Sequence, residues 1–247
     1  MDPESVSRRV TSLTRAIMPV GLYGLSADMD PIMSIAKEHD LAVIEDNAQC
    51  FLATYKGRLA GTTGHLASFS LQASKHLTTG DGGVIITDDE NLATAARKFS
   101  CFGYHSLSAG STGVMPKNER GQPCSVRHDF LGWNYRMSEL QAAVALEQTE
   151  RIDELVERHA ASGKFFLEAV GDCPWLRPQH TPDDCVNSYW TFACVFEADK
   201  TGLSWDSFRK RFYELGGDFA YGAWRLTYNE PVFQDRQFLG GGFPVDS

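Results

Sequence analysis

The chain is short of positive charge. Its 247 residues carry 23 Lys+Arg against 32 Asp+Glu, a formal net charge of −9. A nucleic-acid partner would need clustered Lys and Arg facing phosphates, and this balance argues against one. Long apolar runs are also missing. The longest are strand-sized, so no transmembrane helix and no membrane partner are expected. Cysteine is sparse, with thiols only at positions 50, 101, 124, 173, 185 and 194. The opening Met1-Asp2-Pro3-Glu4-Ser5 is polar and acidic and lacks the basic start and apolar stretch of a secretion signal. Reduced thiols and a cytoplasmic location are the expectation. No internal repeat or low-complexity tract is visible. What is present is ordinary globular composition, 43% hydrophobic and 22% charged, which argues against disorder. The length admits one large domain or two small ones.

The apolar pattern predicts a short helix from Pro3 to Arg9 and a strand over Thr14–Val20 ending in the turn residues Gly21–Gly24. Asp28 is expected to cap a helix whose Met29, Ile32, Met33, Ile35 and Ala36 fall mostly on one face. Leu41–Ile44 is a continuous apolar run, the mark of a strand buried on both faces, and Glu45 and Asp46 end it. Tyr55–Arg58 reads as a hairpin turn, Ala67–Leu71 and Val84–Thr87 as short strands, and Glu90–Phe99 as a helix. Strand, helix, strand in this order implies a mixed, mostly parallel sheet covered by helices, an α/β fold. Residues 103–130 lack periodicity and read as a functional loop. Met137–Val170 reads as one long helix leading out of the first domain, Tyr189–Phe196 as a strand, and Trp205–Leu215 as a helix stopped by Gly216-Gly217. The expected division is a large domain over 1–165 and a smaller α+β domain over 166–247.

Three polar groups follow or end buried strands. Asp46 closes one, Ser70 lies in Ser68-Phe-Ser70, and Lys75 sits in Ala73-Ser-Lys-His76 just before Thr78-Thr-Gly-Asp-Gly-Gly83. In open α/β sheets ligands bind beyond the carboxyl ends of strands. An acid there can hold a protonated ring nitrogen. A lysine beside small residues can form a Schiff base, and a serine with nearby backbone N–H groups can hold a phosphate. Together these are the needs of pyridoxal phosphate (PLP).

Four blocks then resemble the DegT/DnrJ/EryC1/StrS family of PLP-dependent sugar aminotransferases, of the aspartate aminotransferase-like fold. They are Ile44-Glu-Asp-Asn-Ala-Gln49, Ser68-Phe-Ser-Leu-Gln-Ala-Ser-Lys-His76, Gly80-Asp-Gly-Gly83 and Gly132-Trp-Asn-Tyr-Arg-Met-Ser138. Pro19–Gly24 and Ala27–Asp30 add to the resemblance, which is clear from about residue 2 to residue 160 and weaker beyond. It implies that Lys75 carries the cofactor and later moves the proton. It implies that Asp46 pairs with the pyridine nitrogen, that Gln49 lies near the ring's 3-hydroxyl, and that Ser70 is a phosphate ligand. Asn134 is implied to reach the phosphate of a neighbouring subunit, hence a homodimer with shared sites. The implied reaction passes an amino group from glutamate or glutamine to a keto group on a nucleotide-linked sugar or cyclitol.

The chain also departs from the family. Gly21 stands where a histidine is common, and Asp81 where glutamate is common. One subfamily replaces the lysine by histidine and dehydrates sugars. Here Lys75 aligns with the lysine and His76 is the next residue, which favours the transaminase over that dehydratase alternative. Cys101 and His105 with Cys124 and His128 would make two Cys and two His, but the spacing lacks a Cys-x-x-Cys pair and no metal is expected. Tyr189, Trp190 and Phe192 are expected to pack the second domain, and the segment from Tyr221 to Arg225 is a candidate for substrate contact. Members of the family carry an N-terminal segment before the region matched here, and strands and helices beyond its end. A fragment of the enzyme is therefore the expectation, with an inactive fragment as the alternative.

Overall fold

The computed structural model describes residues 1–111, 113, 117–118, 121–123, 125–218 and 220–235. The chain divides into two compact units, one of Met1–Cys173 with Pro178–Cys194 and one of Pro174–Arg177 with the residues from Val195 on. In chain order the elements are α1 (Pro3–Ser7), β1 (Ala16–Ile17), α2 (Met29–Glu38), β2 (Ala42–Asp46), β3 (Thr54–Tyr55), β4 (Arg58–Leu59), β5 (Leu66–Ser70), β6 (Gly83–Ile86) and α3 (Glu90–Ser100). Then come α4 (Glu139–Glu150), α5 (Ile152–Val170), β7 (Leu176–Pro178), β8 (Cys185–Val186), β9 (Cys194–Phe196), α6 (Ala198–Thr201) and α7 (Trp205–Glu214). The expected boundary at residue 165 falls inside α5, which lies wholly in the first unit.

The first unit is built on a sheet in the order β1-β2-β5-β6. The first three strands run parallel and β6 runs antiparallel to β5, with Ser70 opposite Gly83. The mixed, mostly parallel α/β sheet expected from the element order is present. Helix α2 makes the crossover from β1 to β2. It buries Met29, Ile32 and Ala36 with Ile17, Leu41, Val43 and Tyr55. Fully burying a side chain such as Ile32 or Val43 contributes about 1.5–3 kcal/mol. Asp28 holds the N-cap position of α2 but makes no capping bond. Its carboxylate instead accepts the Tyr55 hydroxyl at 2.6 Å, which pins the β3–β4 hairpin to the start of the helix.

The predicted long helix is two, broken at Arg151. α4 starts with a capping box in which Ser138 and Gln141 satisfy each other's backbone N–H groups. α5 buries Val156 and brings Gly163 against the Tyr189 ring, closer than any side chain at 163 would allow. The strand predicted over Tyr189–Phe196 forms only from Cys194. Asn187 Oδ1 takes the Tyr189 N–H at 2.7 Å, and Tyr189 has φ 48°, so the start of the segment is not extended.

In the second unit β7 pairs with β9, and α7 is capped by Ser204. Trp175, Phe196, Trp205 and Phe208 cluster with ring centroids 4.8 to 6.2 Å apart.

Candidate active site

Parallel pairing places Asp46 opposite Ser68, so the carboxyl ends of β2 and β5 lie side by side. The loop after β1 is tied to the same edge. Gly21 N–H donates to the Asp46 carbonyl at 2.9 Å, and Asp46 N–H donates to the Pro19 carbonyl at 2.9 Å. Side chains alternate along a strand, so Glu45 and Asp46 face opposite ways. Glu45 is buried, and its carboxylate accepts the N–H groups of Gly61, Thr63 and Gly64 together with Asn47 Nδ2. Asp46 is half-buried. Its Oδ1 accepts the Ala48 N–H at 3.1 Å, and among the described residues Oδ2 accepts no hydrogen bond. It is the acid with an oxygen left for a ligand.

Between β5 and β6 the chain makes a tight excursion that carries Lys75. Leu71 N–H donates to Gly82 O, Thr79 N–H to Leu71 O, and Ala73 N–H to Gly80 O. Gly80-Asp-Gly-Gly83 is thus the returning side of this turn. Ser70 Oγ accepts the Gln72 N–H at 3.3 Å, and Gln72 Oε1 accepts both the N–H and the hydroxyl of Ser74. Helix α4 braces the turn: Gln141 Nε2 donates to Asp81 O at 2.9 Å, and Gln148 Oε1 accepts the Thr78 N–H at 3.3 Å. Burial pulls the pKa of Lys75 below the ordinary lysine value, and the negative charge of Asp46 works against this.

Sequence reasoning missed the segment that covers the lysine. The Lys75 ammonium lies 4.4 Å from the centroid of the Trp190 ring. The Trp190 indole N–H donates to Ser74 O at 2.6 Å, and Tyr23 lies parallel to Trp190 with centroids 6.4 Å apart. Gln49 enters through Tyr23, whose N–H its Oε1 accepts at 2.9 Å. His76 is buried, and its Nε2 faces Ser188 O at 3.1 Å, so that nitrogen carries the proton. Trp190, expected to pack the second domain, belongs instead to the first unit and sits over Lys75. Its 116-residue separation from Ser74 leaves no local signal in the sequence.

The structure therefore gathers Asp46, Gln49, Ser70 and Lys75 on neighbouring strand ends and turns. Asn134 is exposed, and its contacts are with a different segment. It bridges to Cys101 beyond α3, and its Oδ1 accepts Arg136 Nε at 3.0 Å. Tyr221 and Trp224 lie exposed in the second unit. Of the Cys/His set, Cys124 lies outside the described residues, and His128 Nδ1 faces Phe102 O at 2.8 Å. No group of three or more possible metal ligands occurs among the described residues.

A cofactor with an aldehyde, a basic ring nitrogen and a phosphate needs an amine of lowered pKa, a carboxylate with a spare oxygen, and small polar donors. Lys75, Asp46 and Ser70 fit those needs.

The chain as a whole is similar to known proteins. GDP-perosamine synthase of Caulobacter vibrioides is 42% identical over 154 residues, which is 62% of this chain and 37% of that protein. L-glutamine:2-deoxy-scyllo-inosose aminotransferase of Micromonospora echinospora is 35% identical over 82% of this chain and 47% of its own length. The chain thus spans about half or less of the length of these curated relatives. Among solved structures, E. coli GDP-4-keto-6-deoxy-D-mannose-3-dehydratase with bound hydrated PLP superposes with a TM-score of 0.75 at 26% identity, covering 87% of this chain and 55% of that one. The profile of the DegT/DnrJ/EryC1/StrS aminotransferase family matches residues 1–242, and the chain belongs to that family.

Proposed function

We propose that the protein acts as a PLP-dependent aminotransferase, passing an amino group from glutamate or glutamine to a keto group of a nucleotide-linked sugar or cyclitol. The observation that carries this is Lys75, half-buried on a braced turn, its pKa drawn down by burial, within reach of the Asp46 charge. When bound, PLP supplies an aldehyde that takes up the amino group and a cationic ring that draws electrons from it. Asp46 holds a proton at the ring nitrogen. Lys75 Nζ, made easier to deprotonate by burial, accepts and returns the proton of the substrate carbon. Ser70 would offer its hydroxyl to the phosphate, and Gln49 holds the Tyr23 loop through the Tyr23 N–H. Asn134, exposed, fits a role in a neighbouring subunit's site, and a cytoplasmic homodimer is part of the reading. Among the described residues no helix is long and apolar enough to cross a membrane.

The relatives' names support the substrate class, one a GDP-sugar enzyme and one a glutamine-dependent cyclitol enzyme. His76 argues against the dehydratase alternative, because its ring is buried and bonded to Ser188.

The test is a visible spectrum of the purified protein with PLP, before and after glutamate or glutamine. A visible absorbance band that falls on adding the donor, and that Lys75→Ala lacks, is expected. A protein that develops no such band overturns the reading.

A further inference from the structure

We propose that Trp190 is the positioning residue for Lys75, holding the lysine turn through Ser74 and giving the ammonium a π face to rest on. The inference rests on Lys75 being the reactive lysine. Three consecutive residues of the turn are held by one remote segment. Ser74 O accepts the Trp190 indole N–H, the Lys75 ammonium lies over the Trp190 ring, and His76 donates to Ser188 O. Without these contacts a lysine on a four-carbon stem, flanked by Ala73, Ser74 and Gly80, would sample many rotamers.

The remote segment is itself fixed. Ser188 N–H donates to Gly24 O at 2.9 Å, the Tyr189 ring lies against Gly163 of α5, and Trp190 stacks on Tyr23. Tyr23 is held by Gln49, three residues after Asp46, so the contacts run unbroken from the loop of the acid to the turn of the lysine. The π face favours the charged amine and has little hold on the neutral one. Trp190 thus gives the protonated lysine a defined place, which it leaves on losing its proton. The other groups facing Lys75 are Asp46, whose charge favours the ammonium, and His76, whose ring is backed by His159. The Tyr23 phenol flanks Trp190.

The experiment measures acetylation of Lys75 by acetic anhydride against pH in cofactor-free protein, read by peptide mass spectrometry, beside PLP release followed by absorbance. Trp190→Leu keeps apolar bulk and removes both ring and N–H; Trp190→Phe keeps a ring and removes the N–H. Trp190→Leu is expected to lower the labelling midpoint by about half to one pH unit. Trp190→Phe is expected to leave the midpoint in place and weaken PLP binding roughly threefold to tenfold, the worth of one hydrogen bond. A folded Trp190→Leu protein with an unmoved midpoint overturns the proposal. Should Trp190→Leu not fold, a Trp190→Phe protein that binds PLP as tightly as wild type overturns it instead. Labelling involves no PLP, so a wild-type chain that captures none defeats the proposed function while the Trp190 midpoint still decides this inference.

Discussion

The buried carboxylate of Glu45 accepts the backbone N–H of Gly64 at 2.6 Å. Thr63 donates to the same oxygen, while Gly61 and Asn47 donate to the other. A single side chain thereby organises the loop between β4 and β5. Among the described residues its neighbour Asp46 makes one side-chain bond, to Ala48. The two acids should therefore respond differently to the same change. Glu45→Gln turns an NH₂ group toward donors whichever way the amide is flipped, and should destabilise the fold by about 2–4 kcal/mol. Asp46→Asn should cost less than about 1 kcal/mol while removing the proton holder for the ring nitrogen. Urea midpoints at unchanged m-value measure both. Equal destabilisation by the two substitutions would contradict the assignment of Glu45 to structure and Asp46 to chemistry.

His76 predicts a pH dependence of stability. Burial, opposed by its bond to Ser188 O and aided by His159 and Lys75, holds its pKa down to about 4 from the ordinary 6.5. Nδ1 is buried and has no hydrogen-bond partner among the described residues, so none of them offsets a second proton on the ring. Below pH 6.5 the unfolded chain takes up a proton that the native state refuses. Stability must then fall as the pH drops from about 6.5 toward 4, with a slope of up to about 1.4 kcal/mol per pH unit from this one group. His76→Gln keeps a donor for Ser188 O and cannot titrate. The difference in unfolding free energy between wild type and His76→Gln, measured from pH 7 to 4.5, isolates the term from the carboxylates. Parallel curves for the two proteins would rule the mechanism out.

Much of the site's frame was legible because it is local. The apolar run Leu41–Ile44 marks a strand, but only one of its faces is covered as expected: Val43 and Glu45 are buried, while Ile44 and Asp46 are half-buried and Ala42 is exposed. The spacing of Ser70, Lys75 and the glycines marks a turn between paired strands, which is what β5 and β6 form. The misreadings concern side chains with two possible partners. Asp28 has every property of a helix cap, yet the Tyr55 hydroxyl competes for it, and Tyr55 arrives from a hairpin 27 residues away. Glu45 and Asp46 are chemically alike, and the sequence reading took Asp46 for the site without a means of separating them; the strand's alternation, with Glu45 turned to the N–H groups of Gly61, Thr63 and Gly64, does so. Trp190 and Ser188 reach the lysine turn across more than a hundred residues, through no periodicity or motif. Contacts of that kind come from chain topology, which composition and spacing do not encode.

Gly21 carries the last prediction. A Cβ at this position would lie 2.6 Å from Asn47 Oδ1 and 2.6 Å from Cys50 Cβ, both on buried residues. The histidine that the family resemblance suggests for this place has no room beside these two side chains. Gly21 N–H also donates to the Asp46 carbonyl, so pushing position 21 outward strains the strand end that carries the acid. Gly21→Ala should destabilise the protein by about 1–3 kcal/mol through overpacking. Cys50→Ala removes only the Sγ and leaves Cβ, so it relieves the contact with the sulfur at 2.9 Å and part of the crowding. The double variant should therefore be more stable than the sum of the singles predicts, by about 0.5 kcal/mol or more. The thiol itself is chemically quiet: burial first, and the Glu45 charge second, push its pKa up to about 12, so modification of Cys50 does not confuse the comparison. Thermal and urea unfolding of the four proteins complete the cycle. Strict additivity, or a Gly21→Ala variant as stable as wild type, would show that the loop after β1 yields at little cost and that Asp46 is not held in place from this side.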